Sequence, residues 1–178
     1  MFMHKHNLGV VGPADVKKLC SQTGMDEQAY IEKIKQLATK IAERGYEIIL
    51  TPDKNSSVET FAKAYREHPG TKITGIFPKE DKDFGFGWLN SEICDVIENC
   101  GTWTEQESYV VKRSQNLLCL GFSRGVIIEI CKTGMFWKNR TDSKIFVIRD
   151  FIAEKLPHYI AEGLPIVYVK LEAFLKTL

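Results

Sequence analysis

Residues Gln115 to Cys131, QNLLCLGFSRGVIIEIC, contain two apolar runs separated by Gly121-Phe122-Ser123-Arg124-Gly125, and the second run carries Glu129. An apolar run of strand length, a glycine-bearing turn and a further apolar run constrain this part of the chain to strand, tight turn and buried helix. A glycine turn lets the helix begin abruptly, so its first backbone N–H groups have no intrahelical acceptors and point out of the sheet. Such junctions bind anions or build active sites. The five residues match the pattern G-x-S-x-G and also an altered phosphate-cradling loop, and the rest of the chain has to decide between these chemistries.

The flanking sequence repeats the alternation. Leu8 to Gly12 is a short β-branched run ended by Gly12-Pro13, and Tyr46 to Leu50 a second strand ended by Thr51-Pro52-Asp53. Between them Tyr30, Ile34, Leu37 and Ile41 recur at helical spacing behind Asp26 as a cap, with Gly45 as the stop. Ser56-Ser57-Val58-Glu59 has the S-x-x-E form of a capping box, which opens a helix over 57–68. Strands are expected over 72–78, 94–97, 144–148 and 164–171, and helices over 102–114 and 124–136. The segment after Pro78 is a loop with Phe84, Phe86 and Trp88 as aromatic anchors or stacking groups. The pattern predicts an α/β fold: a Rossmann-like, doubly wound, mostly parallel sheet with helices on both faces. No repeat or linker divides it, so a single domain over residues 1–178 is expected.

Composition limits the function classes. Lys plus Arg number 24 against 23 Asp plus Glu, a balance that recruits neither nucleic acid nor an anionic membrane, so any anion site must be local. No run approaches the roughly 20 apolar residues of a membrane span, and a cytoplasmic protein is expected. The five cysteines, Cys20, Cys94, Cys100, Cys119 and Cys131, form no C-x-x-C pair and read as reduced, buried thiols. His4 and His6 are too few to make a metal site, and neither a metal nor a cofactor is expected.

Taken as a nucleophile elbow, the turn would present Ser123, with Asp150 and His158 following in the order Ser, Asp, His. That order suits a serine hydrolase. Yet seven residues lie between Asp150 and His158, where acid and base should follow separate strands, and no His-Gly-Gly segment lies upstream.

Read together with its helix, G-F-S-R-G-V-I-I-E-I resembles the loop P-G-G-x-G-T-x-x-E of the LONELY GUY or "lysine decarboxylase-like" Rossmann superfamily. Gly125 and Glu129 align with the later glycine and the glutamate, while Gly121, Phe122, Ser123 and Val126 replace Pro, Gly, Gly and Thr. Ile73-Thr74-Gly75-Ile76-Phe77-Pro78 is similar to the family's V-x-G-V-x-P strand, and Ser57-Val58-Glu59 falls at its second glycine-rich helix start. The similarity runs from about Leu8 to Asp150.

The resemblance implies a site for a nucleotide or other phosphate-bearing small molecule at the carboxyl edge of the sheet, in a protein that pairs as a homodimer. The phosphate would sit over 121–125, on the backbone N–H groups of Arg124, Gly125 and Val126, with the Ser123 hydroxyl and the Arg124 charge added. In the hydrolytic members, which cleave nucleotides at the N-glycosidic bond, the glutamate works with an arginine on the preceding helix; here Gln106 or Glu107 stands at that place. Glu129 and Arg124 are the residues left to carry such chemistry. Glu129 either reaches the pocket floor or caps a neighbouring backbone at the edge of the buried face, and Arg124 is either its donor or a surface charge. Asp53 would accept ribose hydroxyls or form its turn; Gly12, Pro13, Ser56 and Ser57 would line the pocket or serve as turn and cap residues.

Overall fold

The computed structural model describes residues 7–69, 71–80 and 86–177. The expectations placed on His4, His6, Phe84 and the Phe86 side chain lie outside the described residues.

Seven strands pair in one all-parallel sheet: β1 (Asn7–Val11), β2 (Glu47–Leu50), β3 (Ile73–Pro78), β4 (Val96–Cys100), β5 (Asn116–Cys119), β6 (Ile145–Ile148) and β7 (Ile166–Val169). Their spatial order is β4-β3-β2-β1-β5-β6-β7. Side chains alternate between two buried clusters as the pleat requires. Leu8 and Val10 of β1, Ile48 and Leu50 of β2, and Leu118 of β5 enter one cluster, while Val11, Ile49, Leu117 and Cys119 enter the other. The first cluster is closed by α1 (Val16–Thr23), α2 (Glu27–Glu43), α3 (Ser57–Arg66) and α7 (Leu171–Thr177). The second is closed by α4 (Trp103–Arg113) and α5 (Arg124–Phe136), with α6 (His158–Ala161) packed beside them. The expected Rossmann-like doubly wound fold is the observed one.

Capping chemistry explains the helix starts. Asp26 accepts from Ala29 N at 2.9 Å, and Thr102 and Glu105 close a reciprocal capping box at the head of α4. Ser56 accepts from Glu59 N at 3.0 Å, but the Glu59 carboxylate takes the Asn55 N–H at 2.8 Å instead of the N-cap amide, so the expected box is half formed. Helix α1 occupies a stretch to which the sequence pattern assigns no element; Asp15 caps it through Lys18 N at 2.9 Å, and Gly24 ends it at φ 69°. Strand β4 lies two residues beyond the expected 94–97, because Asp95 leaves the strand to accept the Ile73 N–H at 2.8 Å. Cys131 is exposed, unlike the buried Cys20, Cys100 and Cys119. Among the described residues no helix is long and apolar enough to cross a membrane.

Candidate functional site

The strand order reverses direction between β1 and β5. From β1 the chain winds outward through β2, β3 and β4, whereas β5 lies on the other side of β1 and leads to β6 and β7. The connections leaving β1 and β5 therefore go to opposite faces, and a crevice opens at the carboxyl ends of these two strands. It forms a cavity of about 270 Å³, with Gly12 and Asp53 on one side and Ser123, Gly125, Val126 and Glu129 on the other.

The first wall is the turn after β1. A Cβ at Gly12 would lie 2.3 Å from Ser57 Oγ, so glycine is required for α3 to come this close. The Ser57 hydroxyl and N–H both donate to Pro13 O, at 2.9 and 3.2 Å. Ser56 and Ser57 are wholly buried, and Pro13 is buried beside them. These three brace the cleft wall from behind, and their polar groups are engaged within the protein.

The second wall is the turn after β5. Gly121 has φ 134°, and a Cβ there would lie 2.9 Å from Leu19 Cδ2 and 3.1 Å from the Phe151 carbonyl oxygen. It is buried beneath α1 and does not line the cavity, and Phe122 packs against the second core cluster. Ser123 is the N-cap of α5, accepting from Val126 N at 3.4 Å. The next main-chain bond of the helix runs from Ile127 N to Ser123 O at 3.0 Å, so the N–H groups of Arg124 and Gly125 precede the intrahelical ladder. Among the described residues no atom beyond its chain neighbours and its own helix backbone lies within 4 Å of a Cβ placed on Gly125, which faces the open cleft.

The floor is acidic. Glu129 is 8% exposed, and burial pushes its carboxyl up to about 8, with the charges of Glu107 and Asp53 adding to the effect and a hydrogen bond from Gln106 opposing it. Burial also raises Asp53 to about 6. Gln106 Nε2 donates to Thr51 Oγ1 at 2.6 Å, and Thr51 donates to Ile76 O at 3.3 Å. Glu107 is paired with Lys132 at 2.8 Å. Gln106 and Glu107 thus both reach the cleft. Trp103, also on the lining, was not anticipated; its one sequence signal is an aromatic at the first position behind the Thr102 cap.

Arg124 takes a different place. It is exposed, lies off the cleft lining, and makes no ion pair with Glu129 among the described residues. Five residues of helix turn the side chains about 140° apart, which explains the separation.

The serine hydrolase arrangement is not assembled. Ser123 has an ordinary extended backbone, φ −139° and ψ 173°, instead of the strained conformation of an elbow. Asp150 is committed to Leu171 N at 2.8 Å and Lys33 at 3.3 Å, and His158 is exposed at the head of α6. Among the described residues no hydrogen bond joins Ser123, His158 and Asp150.

No family model and no curated protein matches the chain. Solved structures do. The molybdenum cofactor binding protein of the phototrophic bacterium Rippkaea orientalis matches at TM-score 0.66 and 16% identity, over 99% of this chain and 96% of that one. The molybdenum cofactor carrier protein of Chlamydomonas reinhardtii matches at TM-score 0.68 and 16% identity, over 98% and 96%. At this identity the likeness is one of fold, and it extends over nearly the whole of each chain.

Proposed function

We propose that the crevice between β1 and β5 binds a nucleotide or another phosphate-bearing small molecule, and that the protein holds this ligand without cleaving it. The observation that carries the reading is Gly125. A glycine in the first turn of a helix costs stability relative to alanine, and among the described residues no atom from elsewhere in the fold comes near enough to require one. Close approach of an anion to the N–H groups of Arg124 and Gly125 supplies the missing reason. Ser123 adds a hydroxyl at the same edge.

Binding without cleavage follows from the floor. Among the described residues no cation lies within ion-pair distance of Glu129, and by the resemblance Gln106 or Glu107 stands where the hydrolytic members have an arginine. A carboxyl raised to about 8 is mainly protonated at neutral pH and has no positive partner to organise a glycosidic substrate. The loop motif, the Gly125 and Glu129 matches and the strand order support membership of the LONELY GUY-like superfamily as a divergent, non-hydrolytic branch. The pairing of all seven strands in one sheet supports a single domain. A cytoplasmic homodimer is the assembly we assign to it.

A second reading is favoured by the fold neighbours: a molybdenum cofactor type of ligand, a phosphorylated pterin, would use the same anion edge. Thermal shift with AMP, GMP and a phosphorylated pterin, on wild type and Gly125→Asp, tests the site. Stabilisation of wild type alone is expected, and equal stabilisation of both rejects the cradle. Release of free base from nucleoside monophosphates, lost in Glu129→Gln, would restore the hydrolase.

A further inference from the structure

The two ends of the crevice differ in sign. The head of α5 offers N–H donors, while the floor offers hydrogen-bond acceptors. Thr51 spends its hydroxyl hydrogen on the Ile76 carbonyl and receives the Gln106 amide at 2.6 Å. Gln106 therefore keeps its carbonyl oxygen for the cleft, beside the carboxyls of Asp53 and Glu129. Lys132 is spent on Glu107, so no lysine or arginine among the described residues forms an ion pair with Glu129, although that side chain is more than nine-tenths buried on the cavity lining. Gln106 offers it one amide donor, and because a carboxyl accepts several hydrogen bonds, its remaining acceptor positions are open to donors that a ligand brings. Trp103 forms an aromatic wall next to this floor, held at the start of α4 by the Thr102–Glu105 capping box.

Resting on the ligand-binding reading above, we infer that the cleft selects the ring of its ligand: a planar heterocycle stacked on Trp103, placing adjacent ring N–H and exocyclic amino donors on Gln106, Asp53 and Glu129. That donor edge is shared by guanine and pterins. Adenine lacks the ring N–H, and hypoxanthine lacks the amino group. The polarity also fixes orientation, because an anionic group is repelled by the Asp53 carboxylate and held at Gly125, which leaves the ring to occupy the acid end.

The test is titration calorimetry at pH 7 with GMP, IMP, AMP, neopterin phosphate and ribose 5-phosphate, together with tryptophan fluorescence. GMP or neopterin phosphate should bind about 10- to 100-fold more tightly than IMP, the difference made by one donor to a charged or acidic acceptor, and the order of the two names the ring system. Trp103→Leu should lose the ligand-induced fluorescence change and about 10-fold of the preference for GMP over ribose 5-phosphate. Glu129→Gln should shrink the gap between GMP and IMP. Equal affinity for GMP, IMP and AMP, or tightest binding of AMP, overturns the ring selection and leaves the phosphate site standing. Absence of binding by every compound, ribose 5-phosphate included, removes the phosphate site and this inference with it.

Discussion

Lys132 Nζ donates to the Glu107 carboxylate at 2.8 Å and to the Thr104 carbonyl at 2.9 Å, which ties to α4 the lysine whose charge reaches Glu129. Both members of the pair are about four-fifths buried. Lys132→Met leaves the Glu107 charge uncompensated beside an already acidic floor. The expected loss is about 1–3 kcal/mol, between the values of exposed and fully buried pairs. Urea denaturation at pH 7 measures it, and a loss below about 0.3 kcal/mol would mean that the pair contributes nothing net.

The two raised carboxyls make stability depend on pH above the usual acid range. Glu129 moves from 4.5 to about 8 and Asp53 from 3.8 to about 6 on folding, so the folded state holds both protons more tightly than the unfolded chain. Their contribution is fully present below about 4 and is lost as pH rises through 6 and then 8. Glu129→Gln removes the larger part of that slope. Its melting temperature should match wild type near pH 5 and exceed it by roughly 5 °C or more at pH 9; parallel curves for the two proteins across that range contradict the assignment.

Two glycines of one loop should respond in opposite ways to alanine. At Gly121 the backbone has φ 134° and the new methyl meets Leu19 and the Phe151 carbonyl oxygen, so the substitution should cost about 1–3 kcal/mol. At Gly125 the backbone is ordinary and the space is open, and alanine should add about 0.5–1 kcal/mol. The stabilised Gly125→Ala protein should bind phosphate-bearing ligands less well, because its methyl group enters the cleft. Thermal melts with and without GMP separate the two effects.

Ser123→Ala should cost about 0.5–1 kcal/mol, the low end for an N-cap because its bond to Val126 N is long at 3.4 Å. A fluorophosphonate probe should label neither protein. Labelling of wild type that disappears in the alanine variant would reinstate Ser123 as a nucleophile.

The parts legible in the sequence were those governed by local chemistry. Helix α5 occupies Arg124–Phe136 as read, because Ser123 sets its start, and α4 sits between its Thr102 and Ser114 caps for the same reason. The polar β4 was displaced because its place is set by Asp95 bonding to β3, a contact between strands. Helix α1 is short, with Val16, Leu19 and Cys20 its buried positions, and so offers much less repeating pattern than α2. In the site, Gly125 and Glu129 were visible as a pattern. Gln106 and Glu107 emerged as occupants of a family position, and Trp103 was missed because its role depends on α4 crossing over the end of β1. That Ser56 and Ser57 serve as cap and brace behind the wall reflects burial that no short motif encodes.

The paired strands β1 and β5 meet in four register positions, from Leu8 with Asn116 to Val11 with Cys119. That ladder is the seam between two runs of consecutive winding, one through β2 to β4 and one through β6 to β7. A molecule lodged above it touches Gly12 and Asp53 from one run and Gly125 and Glu129 from the other. Occupancy of the crevice would thus amount to a removable rivet across the seam, and a bound molecule should govern how cooperatively the two halves of the sheet come apart.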